Sequence, residues 1–103
     1  MEKVMERDSI QDVILEKVSI IIDIMMSILG CSYSEAYEII VNTKTYHFLQ
    51  ERDYGTLHDS PQANLSSIGE ELRQINNDIG NVITDENIKK AMIAMRNANL
   101  KKL

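Results

Sequence analysis

The side chains of this chain that could do chemistry are few: one thiol, Cys31, two imidazoles, His47 and His58, and the carboxylate Asp59 beside the second of them. They are the only candidates for a soft or borderline metal site. Their spacing matches neither the paired Cys/His pattern of structural zinc nor two histidines one turn apart on a helix. A lone cysteine also argues against a closed site. A nucleophilic Cys31 with His47 or His58 as base would need an elbow or a family-specific setting, and the local sequence has neither. Gly30-Cys31 reads instead as small residues at a corner between helices. The expectation is no catalytic residue, no metal and no cofactor.

All the aromatic residues, Tyr33, Tyr37, Tyr46, Phe48 and Tyr54, fall between positions 33 and 54. Two readings are open. The rings close one end of a core with hydroxyls reaching water, or they form a recognition surface whose candidates are Tyr37, Lys44, Tyr46 and Tyr54. Lys44 and Arg52 interleave with the rings as in a platform for single-stranded nucleic acid, but Glu35, Glu38, Glu51 and Asp53 would repel phosphate.

The elements that must position these groups are helical. A first, central helix spans about 8–30, with a start signal in Asp8-Ser9 and a stop at Gly30. From Val18 to Leu29 only Ser19, Asp23 and Ser27 interrupt the apolar residues, on the line of Asp12 and Glu16. At about 100° per residue those five positions make a strip roughly 80° wide, so most of the remaining surface wants cover. Asp23 is either the solvent edge of that strip or a polar device fixing register between buried helices.

Ser32 and Glu35 have capping-box spacing, so a second helix spans 32–53 with a break around Asn42-Thr43-Lys44-Thr45, where Thr43 or Thr45 caps a fresh turn. Asp53-Tyr54-Gly55-Thr56 reads as a turn. Ser60-Pro61 opens a third helix over 60–80 carrying Leu65, Ile68, Leu72, Ile75, Ile79 and Val82 at seam-like spacing, and Gly80 is its expected stop. A basic C-terminal helix over 84–103 follows Thr84-Asp85-Glu86, with Met92 and Met95 on its apolar face and Ile93 and Leu100 opposite.

With 103 residues, 44% hydrophobic and only 5% aromatic, the chain makes a single domain with an aliphatic, Met-containing core. The net charge of −5 argues against nucleic acid as a default partner. That charge is uneven, because Lys89, Lys90, Arg96, Lys101 and Lys102 put a basic helix on an acidic body. A membrane span is rejected: the uninterrupted apolar part of helix one is too short, and Asp23 would lie in hydrocarbon. The lone cysteine and a charged start without a cleavage signal place the chain in the cytoplasm.

Ser34-Glu35-Ala36-Tyr37, then Thr43-Lys44-Thr45-Tyr46-His47-Phe48-Leu49, then Leu57-His58-Asp59-Ser60-Pro61 together resemble a group of small uncharacterised bacterial helical proteins. In that group a helix-start Ser and Tyr segment precedes a Lys-Thr-Tyr-x-x-Leu segment and a serine-led last helix. The likeness covers about residues 10–75. It implies a bacterial or mobile-element origin and a compact helical domain. Genes of this type often neighbour toxin-like genes, which implies an antitoxin or accessory binding role.

The expected architecture is an all-α bundle of four main helices with a short fifth at Thr45–Glu51, dimeric through surplus apolar surface. The expected function is a non-enzymatic protein-interaction module, antitoxin-like or a phage-type modulator, bound to itself and to a protein partner. Ile20, Ile24, Leu65, Leu72, Ile79, Met92 and Met95 are the candidate contact residues. The alternative is a dimeric nucleic-acid-binding regulator that presents the basic C-terminal helix of each protomer.

Overall fold

Helix α1 spans Ser9–Leu29 and stops where Gly30 takes a left-handed backbone (φ 66°), its N–H donating to Met26 O at 2.8 Å. A residue without Cβ adopts that conformation at no steric cost. The computed structural model describes residues 9–101, so the start signal at Asp8 and the basic end at Lys102 lie outside the described residues. Among the described residues the protein is all-helical, without strands. None of these helices is long and apolar enough to cross a membrane.

Helix α2 (Tyr33–Val41) opens with the expected capping box: Glu35 N donates to Ser32 Oγ at 3.1 Å and Ser32 N donates to Glu35 Oε1 at 2.9 Å. Those bonds from Ser32 hold the Glu35 carboxyl below its usual range. The break falls where Thr43 ends one helix and caps the next, its Oγ1 donating to Ile40 O at 2.7 Å and accepting from Tyr46 N at 3.2 Å. Helix α3 is Lys44–Gln50. A further short helix, α4 (Tyr54–His58), stands where a plain turn is expected, because Asp53 Oδ2 accepts from both Thr56 N (3.1 Å) and Thr56 Oγ1 (2.9 Å). The expected second helix over 32–53 is thus two helices, with a third short one beginning at Tyr54.

Helix α5 begins at Pro61 with Ser60 as its cap, and ends at Gln74 rather than near residue 80. Asn76 takes the left-handed conformation (φ 58°) and bonds back to Arg73 O, while Asn77 N reaches Leu72 O at 2.9 Å. That pair of bonds closes a helix as glycine commonly does, and Asn is the other residue that tolerates the position. A single 3-10 turn, Asp78–Asn81, then leads to α6 (Asp85–Lys101). Gly80 therefore has a different task from the one expected. A Cβ there would lie 2.6 Å from Arg73 N, so its bare backbone lets the turn press on the end of α5.

Helix α1 lies at the centre, packed against α2, α3, α5 and α6. Its Ile14, Ile21, Ile22, Ile24 and Met25 meet Ala36, Ile40, Leu49, Leu65, Ile68, Leu72, Ile83, Ile88 and Ala91 in one core. Burying each large aliphatic side chain contributes about 1.5–3 kcal/mol. Asp23 stands on the exposed strip with Glu16, Ser19 and Ser27, which makes it the solvent edge of the helix. The expectation that Ile24, Leu65 and Leu72 meet another copy is corrected: one chain already encloses them, at 1%, 0% and 6% exposure. From Glu16 to Leu29 the chain's own later helices cover or half-cover the apolar surface of α1, whereas Ile10, Val13 and Leu15 near its start stay exposed.

Helix α5 and the segment before α6 touch backbone to side at Gly69, where a Cβ would sit 2.2 Å from Ile83 O. Gly69→Ala is expected to cost about 1–3 kcal/mol, the usual penalty of overpacking. Gly55→Ala is the control, because its Cβ would meet only Asp53 Oδ2 at 3.7 Å. Urea denaturation of both variants checks this: a Gly69→Ala protein as stable as the Gly55→Ala protein would contradict the close approach.

Candidate functional site

Three polar constructions and one groove stand out among the described residues. The first is the amine of Lys17. It shares the covered face of α1 with Ile14 and Ile21, and its Nζ donates to Asp59 O at the end of α4 and lies 3.5 Å from Asn64 Oδ1 on α5. Asn64 is itself buried, and its Nδ2 donates to Thr56 O at 3.2 Å. Burial pulls the Lys17 pKa below the ordinary lysine value, and the Asp59 charge partly opposes the shift. An amine so committed acts as a tie between α1, α4 and α5.

The second is the carboxylate of Glu71. From α5 it accepts Lys44 N at 2.7 Å, Thr45 N at 2.9 Å and the Thr45 hydroxyl at 2.5 Å. Free amide donors at a helix start want an acceptor, and a negative one suits the helix dipole. Glu71 supplies it from 26 residues downstream. The third is Arg73, whose Nη1 donates to Gly80 O (2.7 Å) and Ile83 O (3.0 Å), pinning the connection into α6.

The groove lies between α5 and α6. It has a volume of about 770 Å³ and is lined from α5 by Gln62, Ala63 and Ser66, and from α6 by Asp85, Ile88, Lys89, Met92, Ile93 and Arg96. Small Ala63 and Ser66 leave the space on one wall, and Ile88, Met92 and Ile93 make the other wall apolar. Ile93 remains 41% exposed in it. Asp85 Oδ1 accepts from Ser66 Oγ at 2.7 Å, which joins the two walls at one end.

The groove gathers only one of the expected contact residues, Met92. Ile20, Ile79 and Met95 are half-buried against the core, and Ile24, Leu65 and Leu72 are inside it. Ile93, expected on the side away from Met92, lines the same groove, because a step of about 100° leaves neighbours on a shared wall.

Of the expected aromatic surface, Tyr37 and Tyr46 are brought together by a hydrogen bond, and burial, then that bond, raises the Tyr46 pKa. Tyr46 packs against the core while Tyr37 stays exposed. Lys44 is exposed, with its backbone held by Glu71. Tyr54 stacks instead on His58, ring centroids 4.1 Å apart, and His58 Nδ1 lies 2.9 Å from Tyr54 O. Cys31 is half-buried at the corner between α1 and α2, and His47 is exposed. Among the described residues no three His, Cys, Asp or Glu side chains stand close enough to hold a metal ion.

Lys17, Asn64, Glu71, Arg73 and Ile93 are the residues that sequence reasoning missed. Lys17 alone left a signal, a charge within the covered face of α1. Comparison of the chain with protein-family models, curated proteins and solved structures finds no match.

Lys17→Met is expected to lower stability to urea by about 1–3 kcal/mol at neutral pH, since Asp59 O and Asn64 lose their donor. The sign of its pH dependence follows from the lowered pKa. Between the folded value and the ordinary lysine value the unfolded chain binds more proton, so stability rises with pH there. Below the folded value both states are protonated and the slope vanishes. The rise should be missing from Lys17→Met, and identical profiles for the two proteins would contradict a desolvated amine.

Glu71→Ala is expected to cost about 1–2 kcal/mol, like the loss of a helix cap. Hydrogen exchange at the Lys44 and Thr45 amides should accelerate more than at the α2 amides. Equal protection of both amides in the variant would exclude the cap.

Proposed function

We propose that this protein is a non-enzymatic protein-interaction module and that its docking face is the groove between α5 and α6. The observation that carries the reading is an open furrow of about 770 Å³ with an apolar wall built from Ile88, Met92 and Ile93. Grooves of this kind take the apolar face of an amphipathic helix, read through anchors at i, i+3, i+4 and i+7. Methionine suits such a wall because its unbranched side chain adapts to differently shaped anchors. The antitoxin or accessory binding role that the resemblance over about residues 10–75 implies is of the same class.

Lys17, the buried amine, does not compete with this reading as a nucleophile. Its Nζ is spent on Asp59 and Asn64.

The test is a methyl NMR titration of the full chain with a charge-neutral amphipathic helical peptide. Shifts should concentrate on Ile88, Met92 and Ile93, leave Ile75 on the far end of α5 unmoved, and disappear in Ile93→Lys. Shifts centred on Ile75, or none at all, would remove the groove as the docking face.

A further inference from the structure

We infer that the occupant of the α5–α6 groove is an acidic amphipathic helix of a partner protein, an inference that rests on the groove being the docking face. The wall from Asp85 to Arg96 runs about 16 Å along α6 at about 1.5 Å per residue, which is three turns of an incoming helix. Met92 and Ile93 meet that helix's apolar stripe, over a floor formed by the buried Ile88.

The charges around the stripe select its flanks. Lys89 and Arg96 are both exposed on the groove wall, about 10 Å apart along the helix axis, and neither side chain has a hydrogen bond or ion pair among the described residues. The neighbouring Lys90, by contrast, is paired with Glu86 at 3.3 Å. The one carboxylate in the lining, Asp85, is held by Ser66 at the opposite end from Arg96. An incoming helix with two carboxylates seven residues apart beside its apolar stripe satisfies both cations at once. A basic helix would bring like charge to both.

A second copy of the chain does not supply such a helix. On α1 the exposed apolar side chains, Ile10, Val13 and Leu15, all precede Glu16, and the seven-residue span between the exposed acids Glu16 and Asp23 exposes only Ser19, so no apolar stripe lies between that pair. Two copies also repel, each with a net charge of −5. Nucleic acid would match Lys89 and Arg96 but not the apolar wall between them.

The experiment uses the full chain and two synthetic helical peptides of roughly twelve residues, identical in their apolar stripe. One bears Glu at the two flanking positions seven residues apart, and the other bears Lys. Fluorescence anisotropy at low and high salt reads their affinities. The Glu peptide should bind about tenfold tighter at low salt, with the advantage shrinking as salt screens it. The double variant K89E/R96E, altered at two exposed positions and checked for an unchanged thermal melt, should reverse the preference.

Equal affinity for the two peptides, or tighter binding of the Lys peptide, overturns the acidic occupant while leaving the groove as docking face. Binding of neither peptide overturns both. Sedimentation that shows self-association, reversed by the Glu peptide and abolished by Ile93→Lys, overturns the partner in favour of a second copy. A single-stranded or duplex oligonucleotide that displaces the Glu peptide at the higher salt overturns it in favour of nucleic acid.

Discussion

A helix of twenty-one residues that is covered on most of its circumference from Glu16 onward dictates the course of everything after it. From Glu16 onward α1 leaves only the line of Glu16, Ser19, Asp23 and Ser27 exposed, so the chain must bring cover to it from several directions within a short length. It does so with helices that are individually too short to be stable alone. Helix α3 has seven residues and α4 five, and each persists because its ends are held: α3 by Thr43 and Glu71, α4 by Asp53 at its start and by Lys17 reaching the Asp59 carbonyl at its end. The cover of α1 and the capping of the small helices are the same construction seen from two sides.

That construction explains which parts of the fold were legible in the residues and which were not. Local signals carried well. Gly30, the Ser32 and Glu35 box, Thr43 at the break and Ser60-Pro61 each act within four positions of themselves, so their spacing contains their geometry. The end of α5 failed for a related reason: Gly80 looked like the stop and Asn76 did not, yet a left-handed stop needs only tolerance of that conformation, which Asn76 has. Glycine was needed at 80 for contact with Arg73 across a turn, a requirement set by three-dimensional closeness. Glu71 and Asn64 were invisible because their partners stand far away in sequence.

The candidate site divides in the same manner. The apolar spacing of helix three and helix four was readable, but spacing alone does not say whether a stripe faces its own chain or a stranger. Leu65 and Leu72 face inward, while Met92 and Ile93 remain at the surface because the residues opposite them on α5, Ala63 and Ser66, are too small to fill the gap. The docking face thus arises from what α5 lacks as much as from what α6 presents. The asymmetry of charge, by contrast, was visible at once, since it depends only on where the lysines and arginines sit in the chain.

Arg73 has a consequence beyond the closure of a turn. Its guanidinium holds the carbonyls of Gly80 and Ile83 in the connection from which α6 departs, and so ties the end of α5 to the segment that leads into the second wall of the furrow. Yet it contributes no surface to that furrow. The two walls are thus tied twice, by Arg73 from outside the lining and by the Ser66–Asp85 bond within it. Lys89, Ile93 and Arg96, exposed on the wall, are the positions where what is admitted can change with least effect on the packing beneath, whereas Met92 also packs against the core.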